Sequence, residues 1–187
     1  MLIHEVTRFN YRQPHLQRST PTQPYIFHGT TLDHLARIVK DNSLNEGAFW
    51  QKPNEPHGVR FSRRLEVAKN NFAYGRDYPF GAVIAVDWAK VSKRYGTYAY
   101  YEIGYNGQPD SWADIEDEEV VLARSVKPLS EFLGVIYTDL KAFKNPELYS
   151  EDWIGWAIEE HASFRRPADY IRLMKELSTC KFLRPFP

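Results

Sequence analysis

The chain is poor in cysteine, in net charge and in long apolar runs, and each shortage removes a class of protein. A single cysteine, Cys180, among 187 residues cannot close an internal disulfide, which excludes a stapled extracellular scaffold. Lys plus Arg and Asp plus Glu both number 24, so there is no overall basic excess of the kind that nucleic-acid binding leaves. Any such contact has to come from a local patch. The longest apolar runs, such as Gly81 to Val86, are far too short for a membrane span. The start, Met1-Leu2-Ile3-His4-Glu5, has no basic stretch followed by an apolar one. These features set the expectation of a soluble protein in the reducing cytoplasm, with no membrane partner. Also lacking are Gly-x-Ser-x-Gly, a P-loop, the dinucleotide-binding glycine fingerprint and His-Glu-x-x-His, so no metal is expected.

Aromatic residues, by contrast, are plentiful, with twelve tyrosines and eleven phenylalanines. They fit a β-rich core or flat surfaces that stack on a planar ligand. Residues 1–24 carry Pro14, Pro21 and Pro24 and read as an irregular arm with room for a short strand. Tyr25 to Phe27 predicts a strand. From Thr31 to Lys40, Leu32, Leu35, Ala36, Ile38 and Val39 recur at helical spacing behind a threonine cap. Val59 to Phe61 predicts a second strand, and Leu65, Val67, Ala68 and Phe72 a second helix capped by Ser62 and stopped by Gly75. Ala82 to Val86 reads as a strand buried on both faces, with further strands around 98–103, 120–123 and 135–138. Two early helices followed by short strands indicate an α+β fold. Beyond residue 140, Trp153, Ile154, Ile158, Tyr170, Met174 and Leu177 suit helices. The expectation is one domain, with an arm at 1–24, a core at 25–139 and a helical extension at 140–187.

Three segments carry candidate chemistry. In Phe27-His28-Gly29-Thr30, a strand ends beside a helix start, which can present a ring nitrogen and bare backbone to a ligand. A core histidine with a capping threonine is the plainer interpretation. In Gly58-Val59-Arg60-Phe61-Ser62, the serine caps a helix or faces a ligand, and Phe72 or Tyr74 packs in the core or stacks on a ring. From Asp114 to Glu119 there are five carboxylates in six positions, leading into the apolar Val120-Val121-Leu122. Mutual repulsion raises the pKa values of such a cluster, and a solvated acidic loop accounts for most of it. Glu119 differs because it stands at the mouth of a strand, where alternation can aim it into a cleft to stabilise a developing positive charge.

In this order, the three segments resemble the ADP-ribosyltransferase superfamily, in its histidine-type branch, whose members split NAD at the nicotinamide and transfer ADP-ribose to a target. The resemblance covers residues 24 to 138 and implies a split β-sheet core. It assigns His28 to the adenosine ribose, the Gly29 backbone to the nicotinamide amide, and Phe72 or Tyr74 to stacking near the nicotinamide. Thr30, Phe61 and Ser62 belong to the same cofactor-holding blocks. Glu119 becomes the catalytic carboxylate that bonds the nicotinamide ribose and stabilises the oxocarbenium ion, with Asp117 as its helper two residues earlier. Arg60 stands where the family has an aromatic, and is expected on the NAD pyrophosphate.

The implied function is a mono-ADP-ribosyltransferase using NAD as co-substrate without a metal, similar to small bacterial and phage toxins or effectors. Its acceptor is DNA, RNA or protein. Arg60, Arg63, Arg64, Lys69, Arg76 and a basic tail tilt this towards nucleic acid, and analogy implies a neutralising antitoxin. Two alternatives stand beside it. One is transfer of an RNA 2′-phosphate to NAD on a related fold, which needs more basic residues around the phosphate. The other is a non-enzymatic binding or inhibitory module with a degenerate NAD pocket, favoured by Arg60 and opposed by Glu119.

Overall fold

The structure is a computed structural model that describes residues 16–46, 57–73, 81–100, 118–138, 172, 175, 177 and 179–187. Its strands are β1 (Gln17–Arg18), β2 (Tyr25–Thr31), β3 (Leu44–Asn45), β4 (Val59–Ser62), β5 (Gly81–Asp87), β6 (Tyr98–Tyr100), β7 (Glu118–Val121), β8 (Ser125–Val126), β9 (Leu133–Thr138) and β10 (Leu183–Pro185). Eight of them form one sheet in the order β1-β6-β7-β4-β2-β5-β9-β10, while β3 pairs with β8. Neighbours run antiparallel except β9 and β10, which are parallel. The described helices include α1 (Leu32–Asp41), α2 (Leu65–Val67), which continues as a π-helical turn over Ala68–Ala73, and α3 (Trp88–Tyr95), with a 3₁₀ turn over Leu129–Glu131. The described residues form a mixed α+β fold with a large, mostly antiparallel sheet and few helices. Among the described residues no helix is long and apolar enough to cross a membrane.

Strand alternation sorts the side chains onto two faces. Ile26, Val59, Phe61, Ile84, Val86, Val121 and Ile136 pack with Leu35 of α1 and with Trp88, Val91 and Tyr95 of α3 in the main core. Fully burying each large aliphatic of this set contributes about 1.5–3 kcal/mol. On the other face, Val83 packs with Ala68 of the π-helical turn, covered by Phe27, Leu65, Tyr137 and Phe186. Further along that face Val120 and Leu122 meet Leu16 and Tyr98. The apolar run of β5 is buried on both faces for this reason, as its sequence predicts.

Three departures from the sequence expectations have local causes. Helix α3 has no counterpart among the expected helices. Its eight residues follow a seven-residue strand directly, so its periodicity is hard to separate from the apolar run before it. Its ends are nevertheless defined: the Asp87 side chain accepts from the Lys90 N–H at 2.9 Å, and Gly96, at φ 74°, takes the positive φ that glycine adopts without strain. Ser62 does not cap the second helix. It is held extended in β4, paired with Phe27 and Glu118, and its Oγ accepts the Arg64 N–H at 3.0 Å. Arg64 is the residue at the N-cap position of α2.

The helical extension is also corrected at its end. Residues 172, 175 and 177 are helical, but the chain then turns and adds β10 to the sheet edge, with Leu183 opposite Ile136. The segment Trp153 to Tyr170 lies outside the described residues. A three-residue parallel strand carries no alternation signal long enough to be read from sequence.

Gly58 precedes β4 and lies close against the backbone of β7. A Cβ built there would lie 2.2 Å from the Val121 carbonyl oxygen, a backbone atom fixed by the β4–β7 ladder. Gly58→Ala is therefore expected to cost about 2 kcal/mol or more through overpacking. Thermal unfolding should show this as a loss of roughly 5 °C or more in Tm; an unchanged Tm would contradict the close approach.

Candidate functional site

The register of five strands brings the two principal candidates into one line. Phe27 opposite Ser62 sets His28 opposite Phe61, and Phe61 lies opposite Glu119, which lies opposite Ala99. His28 in turn faces Ile84. On the main-core face the row therefore runs Ala99, Glu119, Phe61, His28, Ile84. His28 and Glu119 are two strand spacings apart, about 10 Å, with the Phe61 ring between them. The His28 and Phe61 rings meet edge to face, with centroids 6.0 Å apart and planes at 66°.

His28 follows Phe27, which pairs with Ser62 of β4. Its Nδ1 lies 2.9 Å from the Arg60 carbonyl oxygen. A carbonyl only accepts, so Nδ1 carries the proton and the neutral ring presents a lone pair at Nε2. Burial lowers the pKa of His28, the Arg60 carbonyl opposes that, and His34 adds to the lowering. The ring is thus neutral at pH 7 and suited to accept a hydrogen bond from a hydroxyl.

A lowered folded pKa has a defined consequence for stability. Below the ordinary value of 6.5 the unfolded chain takes up a proton that the folded chain refuses, so stability falls as pH drops from 6.5 towards the folded value and is flat above it. His28→Asn keeps a donor near the Arg60 carbonyl without the titration. Its Tm deficit relative to the native protein is expected to shrink between pH 7.5 and pH 5.5. Parallel Tm curves across that range would show that His28 does not titrate in this way.

Glu119 is fully buried and held from two directions. The Ser19 hydroxyl donates to its Oε1 at 2.8 Å. Arg63 donates to the same oxygen from Nε at 2.7 Å and also from Nη2. The Arg63 side chain is 29% exposed, and its guanidinium lies 5.5 Å from the Trp88 ring centroid in cation–π geometry. The Trp88 Nε1–H donates to Thr97 Oγ1 at 2.9 Å. The arm is stitched into the same place: the Ser19 N–H donates to the Thr97 carbonyl at 2.8 Å, the Trp88 N–H to the Pro24 carbonyl at 3.0 Å, and the Gln23 side-chain amide to the Arg63 carbonyl. Ser19, Gln23 and Pro24 thus fasten the arm beside Glu119, Arg63 and Trp88.

Among the other sequence candidates, Thr30 is buried on the same face as His28, two residues on. Gly29 lies in β2 opposite Val83. Arg60 and Ser62 alternate with Phe61, so their side chains leave the sheet on the opposite face, and Arg60 sits across from Val120. The expected pyrophosphate contact of Arg60 is therefore not on the His28–Glu119 face. Phe72 has its backbone in the π-helical turn, while its ring, Tyr74 and Asp117 lie outside the described residues. Among the described basic residues, Arg63 meets Glu119, Arg64 meets Glu66 at 2.9 Å, and Lys69 lies 4.5 Å from the Phe186 ring centroid. Arg76 lies outside the described residues. Among the described residues no three His, Cys, Asp or Glu side chains gather as a metal site would require.

Sequence reasoning missed Ser19 and the ion-pair role of Arg63. Arg63 follows β4 directly and continues the alternation of Phe61, which is the signal that could have found it. Ser19 left none. Comparisons with protein-family models, with curated proteins and with solved structures find no match to this chain.

Proposed function

We propose that the protein is a mono-ADP-ribosyltransferase that cleaves NAD at the nicotinamide glycosidic bond and passes ADP-ribose to a macromolecular acceptor. The observation that carries this reading is the row His28, Phe61, Glu119, which sets a neutral imidazole and a buried, ion-paired carboxylate on one face, with an aromatic ring between them. In the proposed reaction His28 Nε2 accepts a ribose hydroxyl proton in a hydrogen bond. Nicotinamide departs with the electron pair of its bond to the ribose, and the Glu119 carboxylate stabilises the oxocarbenium ion left behind. The acceptor's nucleophile then attacks the anomeric carbon and gives up a proton. Ser19 and Arg63 hold the Oε1 side of the carboxylate.

With Arg60 on the other face and Arg64 and Lys69 engaged locally, the case for nucleic acid over protein is reduced to an even one. Incubating the protein with labelled NAD and, separately, DNA, RNA and cell protein tests the reading. Label on one of the three, with nicotinamide released, supports transfer and names the acceptor. No release in any arm defeats it. One observation favours a second reading, a non-catalytic NAD-binding module: a guanidinium already bonded to Glu119 Oε1 weakens the negative field offered to a cation. Nicotinamide release separates the two.

A further inference from the structure

We propose that Arg63 is the positioning residue for Glu119, keeping the carboxylate ionised and fixing its rotamer inside the sheet. This rests on the transferase reading for its consequence in catalysis, although its central claim concerns the carboxylate itself. A carboxyl group with no exposure to water favours its neutral, protonated form unless a cation or several donors compensate, and a neutral acid offers no field to an oxocarbenium ion. Arg63 supplies that compensation. Its Nε and Nη2 both donate to Oε1, and the Ser19 hydroxyl adds a third bond to the same atom, which pins the direction in which the carboxylate plane lies.

Arg63 is itself preorganised. Its guanidinium is backed by the Trp88 ring, its backbone carbonyl is tied to Gln23, and Trp88 is anchored to Thr97. The chain thus spends a cation, an indole and two arm residues on one buried oxygen. The other titratable group in the described row is His28, beyond Phe61, which is neutral at pH 7 and so neither repels nor attracts Glu119 strongly. Ala99, across β6, carries no charge. Arg63 is the cation bonded to Glu119, and its charge favours the ionised carboxylate.

The test labels glutamate side chains with carbon-13, assigns Glu119 by its loss in Glu119→Gln, and titrates the native protein, Arg63→Ala, Arg63→Lys and Ser19→Ala. Arg63→Ala is expected to raise the Glu119 midpoint by at least about one pH unit. Arg63→Lys should recover most of that shift, and Ser19→Ala should move it less, in the same direction. If Arg63→Ala does not fold, Arg63→Gln and Ser19→Ala carry the comparison. In nicotinamide release, the acid limb of kcat is expected to move up in pH with the carboxyl midpoint while KM for NAD changes little. A Glu119 midpoint that stays put when Arg63 loses its charge overturns the proposal. A native protein that releases no nicotinamide, but whose Glu119 midpoint follows Arg63, refutes the transferase reading and leaves the positioning role standing.

Discussion

Purified Glu119→Gln protein is expected to fold, to melt several degrees below the native protein, and to release nicotinamide from NAD at least ~100-fold more slowly. The two effects have separate physical origins. Glutamine has nearly the same size and still offers an oxygen to Ser19 and Arg63, so the packing of the row is kept. What is lost is the charge, and with it the attraction that stabilises the cationic sugar in the transition state but not the bound dinucleotide. The loss should therefore appear in kcat, with KM little changed. The stability cost comes from leaving Arg63 beside a neutral amide. It is expected at about 2 kcal/mol, below the ~3–5 kcal/mol of breaking a fully buried pair, because Arg63 keeps 29% exposure. Steady-state nicotinamide release and a thermal melt check both. A variant that matched the native rate would remove Glu119 from the chemistry, whatever its Tm.

How much of this was legible in the sequence follows from how far apart the partners lie along the chain. His28 and Glu119 could be picked out because each lies next to a local signal, His-Gly-Thr before an amphipathic helix and an acidic run before Val120-Val121-Leu122. His28 is nevertheless not at the expected turn: β2 runs on through Gly29 and Thr30 to Thr31, paired with β5 along its whole length, and His28 is in its middle. The cores of β4, β5, β7 and β9 were visible in the apolar runs, with boundaries displaced by a residue or two, whereas β2 runs four residues past its expected end and the short β3, β8 and β10 were not foreseen. The row that joins the two residues was not, because it depends on the registers of β7 with β4 and of β4 with β2. Pairings between strands that are not consecutive leave no periodicity in the sequence.

The same argument explains Ser19 and Arg63. Their bonds to Glu119 span 100 and 56 positions, and a serine in a proline-rich arm looks like any loop residue. Arg60 shows how a strand separates neighbours in sequence. Its place in the Gly58 to Ser62 block suggested a ligand contact, but a one-residue step along a strand reverses the face, and it is Phe61 that stands between His28 and Glu119.

Trp88→Ala is expected to be the most destabilising single change among the core residues, at about 3–5 kcal/mol, and to disable the site at the same time. Trp88 is fully buried where α3 meets the sheet, so truncation opens a cavity in the main core. It also removes the Nε1–H bond to Thr97 Oγ1, leaving a hydroxyl with no exposure to water, and the aromatic face behind the Arg63 guanidinium. Against a typical total stability of about 5–15 kcal/mol, the loss leaves a protein that unfolds near working temperature. Trp88→Phe separates the contributions. It keeps most of the apolar volume and a ring under Arg63, but gives up the hydrogen bond, for an expected cost of about 1–3 kcal/mol. If Arg63 depends on the ring, Trp88→Phe should hold the Glu119 carboxyl midpoint close to its native value despite the lower Tm. A normal melt for Trp88→Ala would mean that the indole is not the keystone between arm, helix and sheet.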